Sequence, residues 1–328
     1  MRQQPRSYPS RNIVHGAGSN HKHGKRRWLL RAILLVGLVI LIAGGTYVGL
    51  MYKNIRDTAM KLNITRPENQ EIIREGEVDI AKEPFSILLL GIDTGSQGRI
   101  DQGRSDVIVV VTVNPNTNTT TMTSIPRDTY IEIAGSNEMD KINHAYAFGG
   151  VGMAVNTVQN LLNIPIDYIV SINMQGFKDI IDTVGGVDLT PTASFSQNGY
   201  TFVEGETVHM DGDMALAYSQ NRYDSGGDYG RQERSRELIT AIFKSASTVD
   251  SLWNYTDILK SLEGNLQTNL TFDEMKVISS KYRDTLNNVE NYQLKGEGEM
   301  INGIYYDKLE QASLDNVKEE LHKQLELQ

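Results

Sequence analysis

The feature that most constrains this chain is a run of 20 residues without a charge, Ala32–Met51 (AILLVGLVILIAGGTYVGLM). At about 1.5 Å per residue, a helix of that length matches the ~30 Å hydrocarbon core of a bilayer. The first 31 residues carry eight Lys/Arg and no Asp/Glu, so within the total of −9 the remaining 297 residues carry −17. Arg26, Arg27 and Arg31 crowd the N-terminal flank of the run, whereas Lys53 and Arg56 are soon met by Asp57. The positive-inside bias predicts a cytoplasmic N-terminus, a single-pass cell-membrane anchor and an extracytoplasmic body. Small-residue cleavage signals are missing, which favours a retained anchor over a signal peptide. Residues 1–31 read as a basic tail on anionic lipid. No aromatic or helical pattern accompanies their charge, so nucleic acid is not expected as a partner.

The chain has no cysteine, which excludes disulfides, thiolate metal sites and cysteine nucleophiles. Residues 52–84 are polar and read as a stalk, 85–250 as the core of a folded domain, and 251–328 as a helical and strand-bearing part packed on it or extending it. Ser86–Leu90, Asp106–Val113 and Thr119–Ile125 read as buried strands, the last two joined as a hairpin through Asn114-Pro115-Asn116. Helical spacing follows over His144–Leu162, then a strand over Tyr168–Ile172 and a helix closed by Gly185-Gly186. Thr201–Val208 resembles a hairpin. Asp211–Ser219, Asp228–Ser247, Ser251–Leu262 and Phe272–Tyr282 read as helices, Tyr292–Leu294 as a strand, and a last helix as one capped by Ser313. Strands alternating with helices imply an α/β layered fold.

The unusual residues stand at strand ends. Asp93 and Asp106 bracket a glycine-bearing loop, and two carboxylates brought together repel unless a cation or proton intervenes. Oxygen ligands without His or Cys suit Mg²⁺ or Mn²⁺; alternatively one aspartate caps the turn and the other pairs with Arg104. Arg127-Asp128 follows the third strand. Lys141 and His144 face a site or serve as caps and packing. Asn221–Arg234 (NRYDSGGDYGRQER) is a glycine-rich turn entering a helix, and Arg231 and Arg234 fall near its inward stripe. Cations there oppose the helix dipole and need partners, either an anionic ligand or Asp224 and Asp228.

Taken in order, Leu90-Gly91-Ile92-Asp93, Gly103-Arg104-Ser105-Asp106, Ser124-Ile125-Pro126-Arg127-Asp128, Lys141-Ile142-Asn143-His144-Ala145-Tyr146, Gly185-Gly186-Val187, Ala217-Tyr218, Arg222 and Gly227-Asp228-Tyr229-Gly230-Arg231-Gln232 resemble the LytR-CpsA-Psr family of Gram-positive envelope proteins, over roughly Phe85–Ile242. The resemblance implies an αβα-layered domain with a mixed central sheet, holding a polyprenyl-pyrophosphate lipid with its tail in an apolar pocket. It implies a Mg²⁺-dependent phosphotransferase that moves a glycopolymer (teichoic acid or capsule) to peptidoglycan. Carried over, Asp93 and Asp106 hold the metal and Arg104, Arg127, Arg222 and Arg231 clamp the phosphates, with Arg234 and Lys141 as further candidates. Asp224 and Asp228 are candidates for a base. Relatives commonly carry Arg at Gln220 and Gln at Ser235. A lipid-pyrophosphate hydrolase and a non-catalytic regulatory or lipid-binding protein are the alternatives.

Overall fold

The computed structural model describes residues 46–47, 49–64, 74, 76, 78–94, 103–222, 226–247 and 259–327. The chain divides into two compact units, Met1–Lys53 and Asn54–Gln328. Most of the expected span, residues 32–45, lies outside the described residues, and among those described no helix is long and apolar enough to cross a membrane. The second unit opens with helical residues 54–62 (α1), whose Ile55, Ala59 and Leu62 are buried.

A six-stranded mixed sheet organises this unit. β1 (Phe85–Ile92), β2 (Ser105–Asn114) and β3 (Thr119–Ser124) form an antiparallel meander, and β6 (Tyr168–Asn173) runs parallel to β1. The edges come from the C-terminal part: β11 (Leu266–Thr268) beside β6, and β12 (Val289–Gln293) parallel to β3. Residues beyond 250, expected to pack on the domain or extend it, complete the sheet at both edges.

Because side chains alternate along a strand, the apolar runs of β1 and β2 feed both faces. Leu88, Leu90, Ile108 and Val110 pack under α2 (His144–Leu162) and the last helix, α7 (Gln311–Gln324), through Val155, Val158, Val317 and Leu321. Phe85, Ile87, Val109 and Val111 face α5 (Gly227–Ser247) and α6 (Phe272–Lys281). Burying a side chain of this size contributes about 1.5–3 kcal/mol, so these two layers carry most of the stabilisation. A third cluster joins α3 (Met174–Thr183) and α4 (Gly212–Gln220) to the short strands β7 (Val187–Leu189), β8 (Phe195–Gln197), β9 (Tyr200–Phe202) and β10 (Val208–Met210).

Three local expectations are corrected. The hairpin expected at Thr201–Val208 is instead β8–β9, turning at Asn198-Gly199, both at positive φ, while β10 pairs with β7. The hairpins β4–β5 (Tyr130–Ile133, Glu138–Lys141) and β13–β14 (Gly296–Ile301, Ile304–Leu309) were not expected. Ser313 does not cap the last helix, which begins at Gln311; its hydroxyl accepts a hydrogen bond from the Lys295 backbone N–H (2.9 Å).

Candidate functional site

The sheet directions bring the motif residues together. The C-terminal end of β1 meets the N-terminal end of its antiparallel neighbour β2, and the C-terminal end of β3 lies on the other side of β2 at the same end of the sheet. Asp93, Asp106 and Arg127, distant in sequence, therefore emerge at one end of the sheet. The glycine-rich turn delivers Arg222 and the N-terminus of α5 to the same end. Asp224 and residues 95–102 of the glycine-bearing loop lie outside the described residues.

Asp106 is the centre of the cluster. Its Oδ2 accepts from Arg127 Nη1 at 2.7 Å and lies 3.8 Å from Arg222 Nη2, and its backbone carbonyl accepts from Arg231 Nη1 at 2.9 Å. Arg231, only 4 % exposed, also donates from Nε to Asp228 Oδ1 at 2.9 Å. Its Nη2 lies 2.8 Å from the same oxygen but makes no aligned hydrogen bond. Arg127 Nε is 3.6 Å from Asp128 and 3.7 Å from Asp228, and Lys141 Nζ donates to Asp128 Oδ1 at 2.7 Å. Arg127, Arg222, Arg231 and Lys141 thus share Asp106, Asp128 and Asp228. Burial opposes the charge of Arg127, but those three carboxylates outweigh it and hold its pKa above the usual arginine value. For Arg222, burial and then the neighbouring Arg127 and Arg231 push it the other way. Arg222 therefore stands in a locally cationic field, which an anion would relieve.

Asp228 was a candidate base. Burial works against its charge, yet Arg231, Gln232 and Arg127 hold its pKa below the ordinary aspartate value. A carboxylate so stabilised is a poor proton acceptor; its geometry suits orienting Arg231. Asp93 is buried, and its Oδ1 accepts the Arg104 backbone N–H at 2.6 Å, while the half-exposed Arg104 side chain reaches only 4.0 Å from Oδ2. Gly103 makes this approach possible: at φ +69° a Cβ would lie 2.4 Å from the Thr94 methyl and 2.8 Å from Asp93 Oδ1.

Arg234 does not join the cluster. It is 3 % exposed, donates from Nε to the Tyr218 carbonyl (3.0 Å) and from Nη2 to the Asn221 carbonyl, and lies 5.1 Å from the Phe195 ring centroid. These are carbonyls at the C-terminal end of α4, where a cation suits the dipole. The inward stripe of α5 located Arg234 correctly as buried, but on the α4 side. His144 pairs with Asp140 at 2.7 Å. Sequence reasoning gave no role to Asn143, yet it is buried, and its Nδ2 lies 3.4 Å from Asp106 Oδ1. Its position within Lys141–Tyr146 was the available signal.

Behind the cluster runs an apolar cavity of about 460 Å³ between the sheet and the helices α5 and α6. Ile87, Val111, Ile242, Phe243, Met275 and Ile278 are among its walls, and Asp93, Asp106, Gln220, Arg222 and Arg231 also line it. This is a pocket-sized volume, apolar over its length and charged at one end. A second groove between α5, β7 and β12 has mixed polar walls that include Asp188, Glu233, Arg236 and Lys244, and none of the arginine cluster lines it. The chemistry therefore points to the apolar cavity.

A sequence model of the LytR_cpsA_psr family matches residues 48–323. The chain belongs to that family. It is 45 % identical over 289 residues to the Enterococcus faecalis polyisoprenyl-teichoic acid–peptidoglycan teichoic acid transferase TagU, covering 88 % of this chain and 95 % of that protein. The crystal structure of Bacillus subtilis TagU is similar with a TM-score of 0.63 at 41 % identity, covering 75 % of this chain and 99 % of that one. A structure described as TagT bound to LIIa-WTA is similar with a TM-score of 0.69 at 33 % identity, covering 80 % of this chain and 100 % of that one. The α/β fold with a mixed central sheet is thus the fold of this family's solved members.

Proposed function

We propose that this chain is a membrane-anchored phosphotransferase that moves a glycopolymer from a polyprenyl-pyrophosphate carrier to peptidoglycan. The observation that carries the reading is the joining of an apolar cavity to a cluster of arginines at one end: an isoprenoid chain needs the first and a pyrophosphate the second. The names of the relatives, teichoic acid transferases, agree with it.

Arginine suits this task because its planar fork meets phosphate oxygens in pairs and keeps its charge at any working pH. Phosphoryl transfer depends chiefly on positioning and on neutralising charge. A hydroxyl of the peptidoglycan acceptor attacks the phosphorus next to the glycopolymer. The new P–O bond forms as the bond to the bridging oxygen breaks, polyprenyl phosphate leaves, and the hydroxyl proton passes to the leaving phosphate or to water. Arg127, Arg222 and Arg231 stabilise the negative charge that gathers on the leaving phosphate, while Asp228 holds Arg231 in place.

Asp93 and Asp106 fit a hard divalent cation. Both are oxygen donors lining the mouth of the cavity, and among the described residues no group of three or more His, Asp or Glu side chains forms a cage made of protein alone. Mg²⁺ commonly uses one or two carboxylates and takes its remaining ligands from water and substrate phosphates. When bound, it would add charge neutralisation at the pyrophosphate. The apolar run Ala32–Met51 would hold the site near a lipid substrate confined to the bilayer and raise its effective concentration.

The test is transfer in vitro by the purified full chain. A lipid-pyrophosphate-linked polymer and peptidoglycan fragments are mixed with Mg²⁺ or EDTA, and polymer-bearing fragments are measured. Acceptor-dependent product that disappears with EDTA is expected. Phosphate release without acceptor would make the chain a hydrolase instead.

A further inference from the structure

The β13–β14 hairpin carries an exposed surface that the donor site does not use. In its register Tyr305 faces Met300 and Asp307 faces Gly298, so these four residues share one face. Tyr305 is 48 % exposed and Met300 63 %. Two glycines make the face what it is. A Cβ at Gly298 would lie 2.6 Å from Tyr305 Cε2 and 2.7 Å from its hydroxyl, and one at Gly296 would overlap Asp307 Oδ1. The Tyr305 ring therefore lies across bare backbone and leaves its outer side open.

This face is continuous with the arginine cluster. The Asp307 backbone N–H donates to the Asp128 carbonyl at 2.8 Å, and the Asp128 carboxylate is the one shared by Arg127 and Lys141. Tyr229, next to Asp228 at the start of α5, donates its hydroxyl to Asp307 Oδ2 at 3.0 Å and accepts the Gly296 N–H at 2.9 Å. The hairpin is thus pinned to the helix that supplies Arg231. Burial raises the pKa of the Tyr305 phenol, and Asp307, Asp128 and Asp228 add to the effect, as expected of a hydroxyl near all three carboxylates.

We infer that this face receives the acceptor, an aminosugar glycan strand of peptidoglycan, with the Tyr305 ring as its stacking platform and Tyr305 as a positioning residue. The inference rests on the transferase reading above. An open aromatic ring packs against the apolar face of a sugar, and the partly exposed Asp128 carboxylate can accept a hydrogen bond from a sugar hydroxyl, while the buried Asp307 holds the hairpin to Tyr229. The lysine of this hairpin, Lys308, is on the opposite face, paired with Glu299 at 2.8 Å. The acceptor hydroxyl would then reach the phosphorus from the side of Asp128, away from the apolar cavity.

The experiment compares full-length wild type, Tyr305→Ala, Tyr305→Phe and Met300→Ser. Sedimentation with purified lipid-free peptidoglycan reads glycan docking without turnover, and transfer kinetics read acceptor KM and donor KM separately. Tyr305→Ala should weaken sedimentation and raise acceptor KM about tenfold, the scale of one aromatic contact. Donor KM and melting temperature should not move, Tyr305→Phe should restore most of the loss, and Met300→Ser should fall between. Unchanged sedimentation of Tyr305→Ala, an equal rise in donor KM, or failure of Phe to rescue would overturn the assignment. So would loss of self-association without loss of glycan binding, which would make the face a contact between copies of the chain. Binding of glycan through Tyr305 by a chain that transfers nothing would instead refute the transferase reading and leave the docking face standing.

Discussion

Arg231 is the residue in which stability and chemistry are most tightly joined, and a paired substitution separates them. In Arg231→Met, Asp228 loses its hydrogen bond of 2.9 Å and its closest cation. Breaking a buried ion pair by removing one partner costs about 3–5 kcal/mol. Here Asp228 keeps Gln232 at 3.1 Å and Arg127 at 3.7 Å, so a smaller penalty follows, about 2 kcal/mol by the same reasoning. For a domain of this size that is a fall in Tm of about 4–8 °C. In Arg231→Met/Asp228→Asn no buried charge is left unpaired, and most of the lost stability should return. Activity should not return, because a donor to the pyrophosphate is still missing; the loss expected is about 10²–10³-fold in kcat. Thermal melting and single-turnover transfer by both variants measure the two effects. A double variant that transfers at the wild-type rate, or that melts as low as the single one, would refute this reasoning.

Other consequences can be checked as simply. Ala246 lines the cavity, so Ala246→Trp should shorten it, lower binding of long polyprenyl chains at least tenfold and spare a short-chain analogue, as measured by lipid competition. Arg234→Ala should leave the Tyr218 and Asn221 carbonyls without this donor. At about 1–3 kcal/mol for each buried orphan the variant should melt far below wild type, whereas Arg127→Ala should lose activity with a smaller fall. Glu237 is raised above the ordinary glutamate pKa by burial, against the opposing hydrogen bond from Tyr218. The folded chain therefore holds this proton more tightly than the unfolded chain, and the group's contribution to stability is lost as pH rises from about 4.5 through its raised folded value. Glu237→Gln should accordingly raise Tm at pH 7 and leave it unchanged at pH 4 by calorimetry.

The parts of the fold that were legible in the sequence are those with dense apolar signals. β1 stands out as an apolar run and β2, β3 and β6 as β-branched ones, and α2 covers the expected His144–Leu162 with a break at Gly149-Gly150. Glu138–Lys141, by contrast, is a charged and partly exposed strand with no alternation to detect. β13 contains two glycines and three glutamate or methionine residues that face solvent, and its pairing depends on a partner strand rather than on propensity. The Asn198-Gly199 turn was detectable, since that dipeptide is the strongest short hairpin signal. At the site, the motif order pointed to Asp106, Arg127 and Arg231, which the fold brings into contact, but helical periodicity could not tell on which side of α5 an inward arginine lies. It therefore grouped Arg234 with Arg231, although one reaches the carbonyls at the end of α4 and the other reaches Asp106 and Asp228.

The central claim is that the apolar cavity and the arginines at its mouth hold one lipid pyrophosphate. Mass spectrometry of lipid extracted from the purified full chain tests it most directly, with wild type beside Arg127→Ala/Arg231→Ala and Ala246→Trp. The account predicts a polyprenyl phosphate or pyrophosphate retained by wild type, lost from the arginine variant and lost or shortened in Ala246→Trp. Equal lipid in all three would place the lipid elsewhere and contradict it.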